Sequence, residues 1–335
     1  MRSKLRAWFL LFRPWSYTAT IVPFLVVAAW TRRQAPASFG GGEPFFSWGR
    51  WWLALAAALP LQAACNLLNT WGDERSGVDS VPGAVRTTPQ VHDGIVSLRA
   101  VFAAAVACVL LSAALALPLF RIPAHSFAGC AMDASFNAPL LVVALIGLFG
   151  ACNYATGVKF KYHGLGVPFV FFLMGAVEMA GVYYSATLGA CRPLEIVRDP
   201  LAWLLALPVC CLVAVIMHGN DMRDMPTDRA AGIRTLALIL GSKGALAFYL
   251  AMHVLPYLVA AAWTASAVRG CVSAGAPFRW ATLLPFAVLP LSFKTLRRAV
   301  LVYRSNPACP PWRGLERASG GVHFLFGAAY SLSLL

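Results

Sequence analysis

Three polar side chains with oxygen atoms suited to metal binding follow one another in an otherwise apolar segment. Asn66, Asn69 and Asp73 are spaced i, i+3 and i+7, so a helix places them on one face. Asp79 follows after a short polar stretch. Amide and carboxylate oxygens are hard ligands of the kind that Mg²⁺ takes in proteins. The spacing therefore indicates one half of a magnesium site.

A second polar cluster ends another long apolar segment. Asn220, Asp224 and Asp228 are spaced i, i+4 and i+8, which again favours one helical face. Pro226 stands between the two aspartates and removes a backbone donor, so we expect the helix to end or kink there. Mg²⁺ commonly bridges one or two carboxylates to substrate phosphates. Two such faces pointing at each other predict a site for Mg²⁺ and a diphosphate.

Basic residues are interleaved with both clusters. Lys159, Lys161 and Arg223 can form charge-assisted hydrogen bonds with phosphate oxygens. A structural interpretation stays open for each acidic or amide residue alone, since Asp and Asn often cap helices. Asn66 and Asn69 nevertheless lie within an apolar helix, where polar groups usually face a bundle interior or a water-filled cavity. Taken together, the two clusters favour a binding site.

The composition is that of a membrane protein. Of 335 residues, 59% are hydrophobic and 12% are charged, whereas an average soluble domain has roughly 25% charged residues. No linker divides the chain, and apolar stretches near the length needed to cross a membrane recur throughout. We therefore predict one polytopic domain over residues 1–335, an all-α bundle with two related halves around a central cavity. The nine predicted helices are Trp15–Trp30, Trp51–Thr70, Leu98–Phe120, Ala138–Tyr154, Gly164–Thr187, Leu201–Gly219, Leu236–Val268, Ala281–Phe293 and Gly320–Leu335.

The distribution of positive charge predicts the orientation. The net charge is +14, but the Lys and Arg residues do not form one patch, so we expect no nucleic-acid partner. Most of them fall at the N-terminus and in every second loop. The positive-inside rule places those segments in the cytoplasm, and in a bacterium the membrane would be the cell inner membrane. Met1–Pro14 lacks the apolar core and the small-residue cleavage site of a signal peptide, so we expect the first helix to be retained.

The nine cysteines show no spacing typical of a metal site. Most of them fit the role of small apolar residues in membrane helices. Cys130, Cys191 and Cys271 all fall in loops predicted to lie outside the cytoplasm, where thiols can oxidise. A disulfide between two of these three is a hypothesis.

The motifs closely resemble those of the UbiA superfamily of membrane prenyltransferases. The similarity includes the Asp73-to-Asp79 spacing D-x-x-x-G-x-D, the long run Asn220–Thr235, the entry Arg13-Pro-Trp-Ser16 and the link Tyr154–Gly166. Within the superfamily the chain resembles the menaquinone branch most, and the eukaryotic vitamin K₂-forming members are similar too. The resemblance implies a nine-helix fold and Mg²⁺-dependent transfer of a polyprenyl chain from polyprenyl diphosphate to 1,4-dihydroxy-2-naphthoate, with release of diphosphate and CO₂.

The resemblance also implies roles for individual residues. Asp73 and Asp224 would be central to catalysis, and Tyr154 would shield the allylic cation. Arg13 and Asn66 would contribute to substrate binding. The remaining implied roles are Mg²⁺ and diphosphate ligation by Asn69, Asp73, Asp79, Asp224 and Asp228, and steadying of the diphosphate by Lys159, Lys161 and Arg223.

One position departs from the family pattern. Relatives usually carry an acid after Gly164-Leu-Gly166, where this chain has Val167. Glu178 lies eleven residues further on, about 16 Å away along a helix, so it is not a direct replacement. A cavity-facing catalytic carboxyl and a purely structural hydrogen-bonding role are both open for Glu178.

Two other functions stay open. The acceptor could instead be 4-hydroxybenzoate or homogentisate, because acceptor choice depends on the shape of a pocket. A transporter would also have many apolar helices with intramembrane acids, but its acids should lie near the middle of the membrane. Here both clusters lie at predicted helix ends, which favours an enzyme.

Overall fold

Apolar helices dominate the fold. A computed structural model describes residues 2–38, 46–77, 89–122, 125–127, 130–132, 135–187 and 198–335. In hydrocarbon, backbone N–H and C=O groups must be paired within the protein, and an α-helix pairs them within one segment. The long apolar runs therefore fold as helices. In chain order the helices are α1 (Arg2–Phe12), α2 (Thr18–Ser38), α3 (Trp48–Arg75), α4 (Pro89–His92), α5 (Leu98–Ala116), α6 (Ala138–Asn153), α7 (Gly166–Phe171), α8 (Glu178–Ala186), α9 (Pro200–Ala230), α10 (Leu236–Ala274), α11 (Leu289–Ser305) and α12 (Leu315–Leu334).

Six helical segments of the described chain are long and apolar enough to cross a membrane. Helix α6 is apolar but shorter. The prediction of a mainly helical integral membrane protein is confirmed, whereas the count of nine spans and the relation between two halves stay predictions. The six segments are Lys4–Arg32, Trp48–Arg75, Leu98–Phe120, Gly166–Ala186, Pro200–Ala230 and Leu236–Ala274.

Several predicted boundaries are wrong. A separate helix, α1, precedes the first predicted span, and a 3₁₀ turn at Pro14–Tyr17 joins it to α2. The predicted helix Ala281–Phe293 is in fact a 3₁₀ segment, Trp280–Val288, which contains Pro285 and is followed by α11. Proline cannot donate a backbone hydrogen bond, which favours a break in the regular α-helix.

The all-α prediction also misses two short antiparallel ladders between α5 and α6. One pairs Arg121–Ile122 with Ser135–Phe136, and the other pairs His125–Phe127 with Cys130–Met132. The strands have two or three residues each. Such lengths are too short for the alternating pattern that predicts a strand from sequence.

Helix α9 lies at the centre of the packing. It packs against α7, α10 and α12, while α3 packs against α5, α6 and α8. The C-terminal ends of α3 and α9 carry Asp73 and Asp228, and we call this side of the bundle the acidic end. The predicted acidic residues are therefore carried by helix ends.

Arg50 joins three chain segments at the opposite end of the bundle. Its guanidinium donates hydrogen bonds to the carbonyl oxygens of Ser185 at 2.7 Å, Arg121 at 3.0 Å and Leu119 at 2.6 Å. These carbonyls follow α5 and lie near the C-terminus of α8. Arg50 therefore ties α3 to both neighbours and fixes the end of the bundle that lies away from the acidic residues.

The disulfide hypothesis can be examined for one cysteine. Cys271, near the end of α10, carries a free thiol. Cys191 and the side chain of Cys130 lie outside the described residues. A disulfide that includes Cys271 is therefore not formed.

Candidate active site

The last three turns of α3 carry the first predicted cluster. The amide nitrogen of Asn66 donates to the carbonyl oxygen of Phe12 and to the hydroxyl of Ser16, both at 2.9 Å. Arg13 donates to the hydroxyl of Thr70 at 3.0 Å. The predicted substrate-binding residues Asn66 and Arg13 thus fasten the N-terminal segment to α3, and their contact with substrate stays a prediction.

Asp73 is the most strongly held acid of the site. It is 8% exposed and accepts hydrogen bonds from Lys161 Nζ at 2.8 and 3.0 Å and from the Tyr162 hydroxyl at 2.7 Å. Burial by itself lowers the pKa of Lys161, but the Asp73 carboxylate and two nearby tyrosine hydroxyls raise it, and the net change is upward. Burial and Asp73 raise the pKa of Tyr162. Both donors therefore keep their protons.

The loop between α6 and α7 joins the two clusters. Lys161 and Tyr162 reach Asp73 on α3, while the carbonyl oxygen of Tyr162 accepts a bond from the backbone of Arg234 at 3.2 Å, just after α9. Gly72 permits the approach to α3, because a Cβ there would lie 2.5 Å from the carbonyl oxygen of Ala155. The loop therefore sets the relative position of the acids on α3 and α9.

Two basic residues adopt backbone conformations that are rare for residues with side chains. Arg13 has φ 50° and Lys159 has φ 58°, and they are the non-glycine residues with positive φ in the described ranges. Such strain often occurs at functional sites. Lys159 Nζ donates to the Ser76 hydroxyl at 3.1 Å, which places the amine beside the end of α3, near Asp73. The role of Lys159 in steadying an anion stays a prediction.

The second cluster lies on α9, which continues through Pro226 to Ala230. The expected end of the helix at Pro226 is wrong, because the missing N–H removes only one helical bond while Met222 and Met225 stay buried in the core. A kink at Pro226 stays a prediction. Asp228 is therefore on the same helix as Asp224 and is 4% exposed. Its Oδ2 atom is buried without a hydrogen-bond partner in the described part of the chain.

Arg223 is paired with acids from two helices. Its Nε and Nη2 atoms donate to the two oxygens of Asp224 at 2.7 and 2.6 Å. Its Nη1 atom lies 3.3 Å from Glu316 Oε1 on α12. Arg223 is therefore already held in an ion-pair network within the protein, and its contact with a diphosphate stays a prediction.

Tyr154 lies between the two clusters. Its hydroxyl is buried and has no hydrogen-bond partner among the residues that the structure describes. Burial raises the pKa of this hydroxyl, and the Asp221 carboxylate adds to the rise, whereas Lys161 lowers it. Asp73 and Asp228 raise it as well. Acids from α3 and α9 thus converge around one tyrosine.

A cavity of about 280 Å³ begins at Asn69 and Tyr154 and continues into the bundle. Along α3 its wall runs from Ala54 to Asn69, which corresponds to about 22 Å at the helical rise. Glu178 lines it, just after a π-helical turn at Phe172–Val177, a feature often found at functional sites. Val167 is buried. The cavity is long, narrow and mainly apolar, and its polar or ionisable lining residues are Thr20, Gln62, Cys65, Asn66, Asn69, Ser112, Tyr154, Glu178 and Ser185.

The donor atoms fit Mg²⁺ shared with a phosphate ligand. Asn69 Oδ1 and Asp228 Oδ2 are buried oxygens without a partner in the described ranges, as expected of oxygens that bind a cation. No three His, Cys, Asp or Glu side chains of the described chain lie close enough to hold a metal by themselves. Mg²⁺ usually completes its coordination with substrate phosphates and water. The predicted ligand Asp79 lies outside the described residues.

Three residues of the site have no role in the sequence interpretation. Asp221 is 5% exposed and forms an i, i+3, i+7 series with Asp224 and Asp228, a spacing that the sequence shows. Tyr162 follows Lys161 directly, so its position next to a predicted anion ligand was a usable signal. Glu316 carries no signal, because nothing in a sequence places α12 beside Arg223.

Replacing Tyr162 with Phe removes one hydrogen bond to Asp73 and leaves the Lys161 ion pair. A hydrogen bond to a charged group contributes about 1.5 kcal/mol, so we expect turnover to fall about tenfold. The measurement is the initial rate of diphosphate release by purified protein. Tyr303→Phe, outside the site, is the matched control, and an unchanged rate for Tyr162→Phe would contradict the assigned contact.

Comparison with known proteins assigns the chain to a family. The model of the UbiA prenyltransferase family matches residues 21–313. The chain is 27% identical to the human UbiA prenyltransferase domain-containing protein 1 over 100% of its own length and 85% of that protein. It is 26% identical to the Drosophila melanogaster homolog, covering 98% and 79% of the two chains.

Solved structures share the fold. A UbiA homolog from Aeropyrum pernix K1 is 22% identical and has a TM-score of 0.56, with 95% of this chain and 98% of that chain covered. A UbiA homolog from Archaeoglobus fulgidus bound to DMAPP and Mg²⁺ is 16% identical and has a TM-score of 0.55, with 98% of each chain covered. The family model spans both acidic clusters and the loop between α6 and α7. The protein is therefore a membrane enzyme of the UbiA prenyltransferase family.

Proposed function

We propose that the protein transfers a polyprenyl chain from polyprenyl diphosphate to 1,4-dihydroxy-2-naphthoate, with release of diphosphate and CO₂. The observation that carries this proposal is the apolar cavity of about 280 Å³ that ends at Asn69 and Tyr154. Its apolar wall suits the prenyl chain, and the polar groups at its end suit the charged diphosphate. The A. fulgidus homolog bound to DMAPP and Mg²⁺ supports a prenyl diphosphate as the donor.

The reaction begins with cleavage of the bond between the prenyl carbon and the diphosphate oxygen. Lys161, held beside Asp73, and Lys159 offer positive charge to the departing oxygens. Stabilisation of developing charge by groups already in place is usually the largest catalytic term. Mg²⁺ bound by Asp73, Asp224 and Asp228, together with Asn69, would add charge neutralisation of the diphosphate.

The apolar cavity protects the allylic cation that remains. Its described lining is dominated by apolar side chains, which exclude water that would otherwise capture the cation. Tyr154, at the acidic end of the cavity, presents an electron-rich ring of the kind that attracts a cation. The electron-rich acceptor ring then forms the new carbon–carbon bond, and the carboxylate leaves as CO₂.

A naphthohydroquinone without a carboxylate is the second candidate acceptor. In the described part of the cavity wall, no Lys or Arg is present to pair with an acceptor carboxylate, and Glu178 is an acid. A buried charge without a partner costs several kcal/mol. This feature favours an uncharged ring, whereas 1,4-dihydroxy-2-naphthoate, 4-hydroxybenzoate and homogentisate all carry a carboxylate.

The acceptor is identified by incubating purified protein with Mg²⁺, polyprenyl diphosphates of several lengths and a panel of these four acceptors. Product masses are then recorded. A prenylated naphthoquinol that has lost CO₂ supports the proposal. Product only from the carboxylate-free naphthohydroquinone supports the second candidate, and product only from 4-hydroxybenzoate or homogentisate overturns both.

We also propose that the acidic end faces the cytoplasm, since Lys and Arg are concentrated in the segments on that side. Cys309 is exposed in the loop between α11 and α12, on the side of the acidic end. Cys271 lies near the C-terminus of α10, on the opposite side. In variants that keep one of these cysteines alone, a membrane-impermeant maleimide applied to intact cells is expected to modify Cys271 and to spare Cys309 until the cells are opened. The reverse pattern would invert the proposed topology.

A further inference from the structure

Arg223 lies between carboxylates from two different helices. Its bidentate pair with Asp224 uses Nε and Nη2, and only Nη1 points to Glu316, at 3.3 Å. The Arg223 and Glu316 side chains are 12% and 14% exposed. Ion pairs shielded from water in this way are screened little by salt. Arg223 therefore experiences two negative charges, one of them from a predicted metal ligand.

The position of Glu316 is fixed by the packing of α12. A Cβ at Gly219 would lie 3.1 Å from the backbone nitrogen of Glu316, so the glycine allows α12 to approach α9 closely. The Tyr249 hydroxyl of α10 bonds to Ser319 at 2.7 Å and donates to the carbonyl oxygen of Leu315 at 3.4 Å. Glu316 is thus held from both sides, and its Oε2 atom is buried without a partner in the described structure.

We propose that Glu316 is a positioning residue for the metal-binding acid Asp224 and acts through Arg223. Glu316 balances the charge of the guanidinium and holds its far side, so that Arg223 orients the Asp224 carboxylate without competing fully with a divalent cation for it. The inference rests on the proposed function of the site. Glu316 lies beyond residues 21–313, the range that matches the family model.

Removing the charge of Glu316 changes this balance. Arg223 then has one carboxylate as its partner instead of two, and its attraction for Asp224 opposes the binding of Mg²⁺. Loss of a group that orients a metal ligand typically weakens metal affinity 10- to 100-fold. A purely structural ion pair would instead lower stability and leave the dependence on Mg²⁺ unchanged.

The test is a Mg²⁺ titration of thermal unfolding in detergent, in the presence of inorganic pyrophosphate. For Glu316→Gln we expect the Mg²⁺ concentration that gives half-maximal stabilisation to rise roughly tenfold, and for Glu316→Asp, which keeps the charge, to rise less. Arg317→Gln, on the exposed side of the same helical turn, controls for charge. Ser319→Ala, which breaks the bond to Tyr249, controls for packing and is expected to lower the unfolding temperature alone.

A double variant shows whether the effect passes through Arg223. If it does, adding Glu316→Gln to the Arg223→Gln variant changes the Mg²⁺ dependence little. An unchanged titration in Glu316→Gln, or a wild-type protein that Mg²⁺ and pyrophosphate do not stabilise, overturns the inference. Product formation by wild-type protein is measured in parallel, so that failure of the proposed reaction is recorded separately from failure of the titration.

Discussion

Replacing Asp73 with Asn is expected to lower the rate of Mg²⁺-dependent diphosphate release by about a thousandfold, the upper range for loss of one stabilising group in a preorganised site. Asp73 receives Lys161 and Tyr162 at hydrogen-bond distance, so its carboxylate holds the loop between α6 and α7 in addition to its predicted role as a metal ligand. The amide keeps the shape of the side chain and removes its charge. The rate is measured with saturating donor and increasing Mg²⁺.

The matched control for this variant is Glu74→Gln. Glu74 is the next residue of α3 and pairs with His92 at 3.2 Å, away from Lys161. We expect this control to keep most of the wild-type rate. If Asp73→Asn retained more than a tenth of the wild-type rate, Asp73 would not be an essential ligand. Loss of solute flux with intact diphosphate release would instead point to a transporter.

The helices could be predicted because hydrocarbon imposes a simple rule on the backbone. A run such as Leu98–Phe120 is apolar apart from Arg99 and Ser112 and has to pair its own N–H and C=O groups. It forms one helical segment long enough to cross a membrane. Boundaries at polar ends were harder to predict. Helix α3 continues to Arg75, since packing of Asp73 against the loop between α6 and α7 decides where the helix ends.

The polar clusters were visible because their spacing repeats the helical period. Asn66, Asn69 and Asp73 do lie together at the end of α3, and Asn69 faces the cavity. The continuation of α9 through Pro226 could not be predicted, because burial of the surrounding turns outweighs the local preference of proline. Tertiary packing routinely overrides local propensity in this way.

Contacts between distant segments could not be predicted from the sequence. Lys161 was predicted to bind diphosphate, yet its pairing with Asp73 depends on the backbone approach at Gly72. Glu316 lies in a C-terminal region whose apolar pattern shows helices and nothing about their neighbours. Its contact with Arg223 exists because Gly219 lets two helices meet. A single sequence does not show which distant segments come into contact.

Gly72→Ala is expected to lower the turnover rate about a hundredfold by moving the loop, without changing any polar group of the site. The added methyl would lie 2.5 Å from the backbone oxygen of Ala155 and 3.0 Å from Thr156 Cγ2. A backbone atom cannot rotate away as a flexible side chain can, so the loop that carries Lys161 and Tyr162 has to shift. Misplacement of catalytic groups by about 1 Å commonly costs a hundredfold in rate.

Gly49→Ala is the matched control, because Gly49 lies in the first turn of the same helix and a Cβ there meets nothing within 4 Å. Overpacking at Gly72 also costs about 1–3 kcal/mol of stability, so unfolding temperature and rate are measured together. Loss of rate in a protein that still unfolds cooperatively well above the assay temperature identifies displacement of the loop. A Gly72→Ala variant with the wild-type rate would show that the close contact between α3 and Ala155 does not set the geometry of Asp73 and Lys161.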